Sequence, residues 1–201
     1  MSVSAFDITP LDLQGAARVQ QPRFADGRGS FAVLANHDLF ASLGMQTAFL
    51  QQNISVSREA GTVRGLHYQA PPAAQAKLVN VVAGRIFDVL VDARPHSSSF
   101  GRHCAVTLEA GTSAGVFVPR GFLHGFMTLE PDTTVLYTVD NPYAPALDFS
   151  IMWNDPDLGI NWPVAPSKVT LSGKDSAAAP WTSVGDTFAA DAASTGQETR
   201  S

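Results

Sequence analysis

The chain has 201 residues, 45% of them apolar and 15% charged, and its 13 Lys and Arg against 18 Asp and Glu give a net charge of −5. That length suits one domain with a real core, or one domain and a tail. The acidic balance argues against a general nucleic-acid binder, which needs a basic face to neutralise phosphates, and leaves room for a small anion held by local arginines.

In chain order, the opening MSVSAFDITPLDLQG lacks a basic region followed by an apolar stretch, so no signal peptide is expected. Asn36 caps a predicted short helix over 36–43, with Leu39, Phe40 and Leu43 on one face. Thereafter short runs rich in Val, Ile, Phe, Leu and Thr alternate with Gly, Pro or Asp. They fall at 47–53, 62–69, 77–83, 85–93, 103–109, 115–119, 124–130 and 133–139, and read as strands. The Ala83-Gly84 step predicts a hairpin between two of them. Evenly spaced short strands imply an all-β sandwich or barrel. Cys104 is the single cysteine, which excludes an internal disulfide framework and fits a cytoplasmic protein. No apolar run is long enough to cross a membrane. Past Trp162-Pro163 the pattern decays, and 176–201 reads as a poorly ordered tail after a domain spanning 1–175, with one anchored patch around Trp181.

Several residues are expensive where they stand. Asp88 sits in RIFDVLVDA, a strand apolar on both faces, sharing a face with Ile86 and Leu90. Either it lies on an edge strand in water, or it is paired inside a site; a buried carboxylate demands a partner, which favours pairing. In TVRGLHYQ, strict alternation puts Arg64 and His67 on opposite faces, unless Gly65 hosts a bulge that turns both into one cavity. Taken alone, His67 is more readily a satisfied core histidine than a catalyst. Gln51 and Asn53 share a strand face, suited equally to a polar ligand or to loop backbone. Lys77 opens a strand, where a lysine is ordinarily solvated. Tyr137 lies on the Val135/Val139 face, where a core tyrosine is the plainer reading.

His124 follows Pro119-Arg120-Gly121, and this spacing resembles the second half-motif of cupin jelly rolls, whose histidine points into the barrel. The metal-binding version of that motif is broken here. Gln69 stands at the second histidine position, and no glutamate occurs between Glu59 and Glu109. A metal-free site is expected.

Together, VRGLHYQ, QAKLV, GRIFDVLVDAR, SSFG, VPRGFLHGF, LY, WNDPDLGINWP and LSGKD closely resemble the dTDP-4-dehydrorhamnose 3,5-epimerase family, from about Phe24 to Asp175. The resemblance implies a cupin-type jelly roll that works as a cofactor-independent homodimer. It implies conversion of dTDP-4-dehydro-6-deoxy-D-glucose to dTDP-4-dehydro-L-rhamnose. By the same resemblance His67 matches the catalytic base, Asp175 the carboxylate paired with it, and Tyr137 the acid on the opposite ring face. Lys77, Arg64 and His124 match residues around the sugar and its ketone, and Asp88 the acid beside that histidine. Arg28 matches a phosphate-binding arginine, Gln51 and Asn53 nucleotide contacts, and Tyr143 an aromatic near the base. The chain departs from the family at Val33, where a glutamate is expected. Asp175 also lies about one residue further from Tyr137 than the family pattern has it. Single-carbon epimerases or ketoisomerases of related sugars, and a non-catalytic cupin that binds a sugar nucleotide, are the alternatives; the latter fits poorly with His67 and Tyr137 both present.

Overall fold

The computed structural model describes residues 6–48 and 50–188 of the chain. The strands are β1 (Asp7–Pro10), β2 (Ala17–Gln20), β3 (Arg23–Asp26), β4 (Gly29–Ala32), β5 (Gln51–Ser57), β6 (Val63–Gln69) and β7 (Lys77–Ala83). They continue with β8 (Arg85–Asp92), β9 (His103–Glu109), β10 (Ala114–Val118), β11 (Phe122–Thr128), β12 (Thr133–Val139) and β13 (Asp148–Ser150). Two short helices join them, α1 (His37–Ser42) and α2 (Gly173–Ser176). One sheet has the order β1-β2-β10-β7-β12-β5 and the other β13-β6-β11-β8-β9, with β3-β4 as a separate ribbon.

Alternation along the strands assigns each sheet an inner and an outer face. Val79, Val116 and Val135 from the first sheet meet Ile86, Leu90, Leu108 and Phe122 from the second in the inner core. The outer face of the first sheet is covered by α1 through Leu39 and Phe40, packed on Leu78 and Phe117. The Asn36 side chain accepts from Leu39 N at 2.9 Å, the predicted cap. Because both faces of β8 are covered, it reads as a continuous apolar run broken only by Asp88.

Three expectations change. β7 and β8 do not form a hairpin: they belong to different sheets, and Gly84 is the crossing point between them. Its φ of +75° and the closeness of Thr133, which a Cβ would strike, leave no room for a side chain. The strand expected over 47–53 starts at Gln51 and runs to Ser57, with Phe49 outside the described residues. Beyond residue 176 the expected anchored patch at Trp181 is present and extends to Phe188, so the chain is not loose as far as it is described. A 3-10 turn at Trp181–Val184 follows α2, and Val184 and Phe188 are buried against Leu66, Tyr68 and Leu123 on the outer face of the second sheet. Three aromatic or aliphatic anchors spaced through small residues were enough to hold it, a pattern too sparse for strand or helix periodicity to register. Residues 189–201 of the expected tail lie outside the described residues.

Candidate active site

β6 and β11 pair with an irregularity that builds the site. His67 stands opposite His124 and Arg64 opposite Phe126, so Gly65 and Leu66 on one strand face Gly125 alone on the other. The extra residue brings Arg64 and His67 to one side, as the bulge reading anticipates. A Cβ on Gly65 would lie 2.6 Å from the Gly125 Cα, so only glycine permits the approach.

Arg64, His67, Lys77, His124, Phe126 and Tyr137 then line one cleft of about 330 Å³, closed on a further side by residues 170–175. Its walls come from both sheets: His67 and His124 from β6 and β11, Lys77 and Tyr137 from β7 and β12. His67 Nε2 lies 2.5 Å from Asp175 Oδ1, a contact across 108 residues of sequence. Asp175 is buried, and Ser172 Oγ donates to its other oxygen at 2.9 Å. Burial pushes the Asp175 carboxyl up, but the hydrogen bond and charge of His67, with Ser172 and Lys174, outweigh it and hold it below its ordinary value.

Deeper in the interior, Asp88 is fully buried and sits 3.0 Å from His124 Nε2 through Oδ2. β8 lies between β11 and β9, so the edge-strand reading of Asp88 is excluded. Burial pushes the Lys77 ammonium down to about 8, with Asp148 and Asp88 pulling it back up and Lys174 pushing it further down. Burial raises the Tyr137 phenol, which the Arg64 charge partly offsets and Asp148 reinforces. A phenol in that state keeps its proton at neutral pH. Arg64 is steered by its donation to Ser57 Oγ and to the Val56 carbonyl, at 3.1 and 3.0 Å.

Five expected site residues are not on the cleft wall: Asp88, which lies behind His124, and Gln51, Asn53, Tyr143 and Arg28. Gln51 and Asn53 share the inward face of β5 with the cleft-lining Ser55, and Gln51 Nε2 donates to Asn53 Oδ1 at 2.7 Å. Tyr143 is exposed, and its hydroxyl donates to Asp148 Oδ2 at 3.0 Å. Lys174 Nζ reaches the same oxygen at 2.6 Å, which links Tyr143 to the cleft rim. Arg28 stands at the tip of the β3-β4 ribbon, 92% exposed and paired with Asp26. Val33 follows that ribbon at its base, where its N–H donates to the Pro22 carbonyl. Sequence reasoning missed Ser55, Ser172, Lys174 and Asp148. Ser172 and Lys174 stand just before Asp175 in LSGKD, within reach of a motif reading; Ser55 and Asp148 carry no local signal. Among the described residues no three His, Cys, Asp or Glu side chains gather as a metal-ligand group.

A cupin-type jelly roll whose interior cleft holds a His–Asp pair and, from the opposite sheet, a phenol has the parts of an acid–base enzyme. Residues 10–183 match the family described as dTDP-4-dehydrorhamnose 3,5-epimerase, and the chain belongs to that family. The dTDP-4-dehydrorhamnose 3,5-epimerase of Sinorhizobium fredii is 42% identical over 158 residues, 79% of this chain and 80% of that one. The crystal structure of the Bacillus anthracis enzyme with TDP and PPi bound is similar at 40% identity and a TM-score of 0.83, covering 88% of this chain and 99% of that one. The Legionella pneumophila enzyme in complex with dTDP-4-keto-L-rhamnose is similar at 36% identity and a TM-score of 0.81, over 87% and 92%. Among the described residues no helix is long and apolar enough to cross a membrane.

Proposed function

We propose that the protein epimerises C3 and C5 of dTDP-4-dehydro-6-deoxy-D-glucose, giving dTDP-4-dehydro-L-rhamnose, with His67 as the base. The observation that carries this reading is the 2.5 Å contact of His67 Nε2 with Asp175 Oδ1 at a cleft that Tyr137 enters from the other sheet. C3 and C5 flank the C4 ketone, so removal of either proton leaves an enolate whose charge sits on O4. His67 takes the proton, and Asp175 orients the imidazole and stabilises the imidazolium. Tyr137 returns a proton on the opposite face, which is what inversion requires. Lys77 stabilises the enolate oxygen, a contribution of about 3 kcal/mol in comparable oxyanion sites. His124, held by Asp88, and Arg64 contact the sugar and its ketone. Gln51 and Asn53 serve the nucleotide and Tyr143 stacks near the base. The steps are proton transfers alone, so neither metal nor redox cofactor is assigned a part.

The protein acts in this reading as a cytoplasmic homodimer. The β3-β4 ribbon hydrogen-bonds to no other strand among the described residues, and Phe24 and Phe31 stack on each other in the open at 6.4 Å. Two-stranded ribbons are marginal in water without a surface to pack on. β5 offers that surface: it is an edge strand with Ile54 and Val56 exposed on its outer face. A ribbon laid there by a second copy accounts for both features and carries Arg28 toward the partner's cleft, where its fork grips the diphosphate. Sedimentation should return a dimer for the protein and a monomer for Ile54→Lys.

The reaction is tested by following deuterium from D₂O into the 4-keto sugar by NMR. Label entering both C3 and C5 is the expected result. Label at one carbon demotes the protein to a single-carbon epimerase, and tight binding without exchange overturns the catalytic reading.

A further inference from the structure

Residues 177–188 follow the carboxylate that pairs with His67, and they fold back onto the strand that carries His67. On one side of Asp175, Thr170 forms a parallel bridge to Thr62, accepting from Val63 N at 3.0 Å and donating to the Gly61 carbonyl at 3.0 Å. On the other side, Ala179 forms a parallel bridge to Ile151, donating to the Ser150 carbonyl at 3.1 Å and accepting from Met152 N at 2.8 Å. Ile151 in turn exchanges two backbone hydrogen bonds with Leu66, and Ser150 stands opposite His67 in the β13–β6 ladder. Asp175 is therefore slung between two attachments to the same sheet. The second attachment is locked further on: Trp181 N donates to the buried Asp155 at 2.8 Å.

The closing contact is aromatic. Phe188, 1% exposed, packs edge-on against Tyr68 with centroids 5.4 Å apart, and Phe149 stacks on the same ring at 5.4 Å. Tyr68 is the next residue after His67 and points to the opposite face of β6. The strand beneath His67 is thus pressed from outside by the segment that ends the Asp175 loop.

We propose that residues 177–188 are a clamp that sets His67 against Asp175, with Phe188 and Tyr68 as positioning residues for the dyad. The physical ground is that a contact between residues far apart in sequence keeps its geometry only if both backbones are tied to a common support. A displacement of about 1 Å in a reacting group can cost on the order of 100-fold in rate. The clamp touches neither the nucleotide contacts of β5 nor the ribbon. It meets β13 and the residues after it from Phe149 to Met152 and not at Asp148, which holds Tyr143, so dTDP affinity is expected to survive its loss. The catalytic part of this inference rests on His67 being the base.

Phe188→Ala and Phe188→Leu are compared with the wild-type protein well below their unfolding midpoints, with the folded fraction measured by circular dichroism. Phe188→Ala is expected to lower kcat by on the order of 100-fold, with dTDP affinity unchanged, while Phe188→Leu recovers most of the loss. Ala179→Pro, which removes the donation to Ser150, reports the same link where Phe188→Ala folds poorly. In parallel, the hydrogen-bonded ring proton of His67 is followed by NMR. Its loss or marked shift in Phe188→Ala supports the clamp, and its persistence unchanged overturns it. A kcat that follows only the folded fraction, or that falls together with dTDP affinity, also overturns it. If His67→Asn retains turnover, the reading of His67 as base fails; the clamp is then decided by the ring-proton signal alone.

Discussion

Two histidine–aspartate pairs share one interior and are built in opposite ways. His124 and Asp88 sit on adjacent strands of one sheet, 36 residues apart, and both are buried, with side-chain exposures of 8% and 0%. His67 and Asp175 join a strand to the short helix α2, 108 residues on, and His67 keeps 31% of its side chain open. The strand ladder holds the first pair, so its aspartate is shut off from the cleft and satisfies a nearly buried imidazole that presents only an edge to the cleft wall. The second pair is held by α2, whose flanking segments are tied down on both sides, and it leaves part of the imidazole open to the cleft. Identical side chains thus differ in access and support, and on that difference His67, not His124, is proposed as the base.

The sharpest way to break that contrast is to remove each histidine. His67→Asn should lower kcat by about 10³-fold, within the range for general bases, with dTDP binding retained. His124→Asn should cost activity less and thermal stability more; equal activity losses measured by steady-state kinetics would dissolve the distinction. Next in size is the phenol. Tyr137→Phe should keep deuterium exchange into the substrate while net epimer formation falls by about 10²-fold, as expected for loss of a general acid. Chemical denaturation then separates the aspartates. Asp88→Ala leaves a buried imidazole without its partner and should cost about 3 kcal/mol, whereas Asp175→Ala should act mainly on kcat. An unchanged denaturation midpoint for Asp88→Ala would count against its role in holding the buried imidazole of His124.

The smaller effects are in pH. Lys77 is held at about 8 in the folded chain against 10.5 unfolded, so the unfolded chain binds more protons between those values. Stability should therefore rise with pH across that window, and Lys77→Met should flatten the rise. Activity should move the other way, with kcat declining above about pH 8 as the ammonium loses its charge; Lys77→Arg should extend activity to higher pH. An alkaline limb that stays in place in Lys77→Arg would remove Lys77 from the enolate's stabilisation.

Much of this was legible in the residues. The strands from Lys77 to Val139 carry their own punctuation and β-branched composition, and their ends agree with the structure to within two residues or so. Asp88 announced a partner by standing in a doubly covered strand. Gly65 announced the irregularity that sets Arg64 and His67 side by side. What escaped was whatever depended on non-local pairing. β1, β2 and β13 are too short for periodicity, and the β3-β4 ribbon was overlooked although Gly27 and Arg28 make a two-residue turn between its strands. The Ala83-Gly84 step looked like a hairpin because a turn signal reports a change of direction, not which sheet the next strand joins.

The sequence by itself determined the all-β class and, through its motif order, the family, and the family resemblance supplied the candidate base, its carboxylate and the acid; residue types, turn chemistry and motif order are local properties. Only the tertiary structure decided how far each His–Asp pair is buried, the 2.5 Å approach of Asp175 to the His67 with which the resemblance pairs it, and the packing of the segment through Phe188 on the second sheet. Those depend on contacts between residues many positions apart, where burial and access are set by the whole packed chain and leave no trace in any short stretch of it.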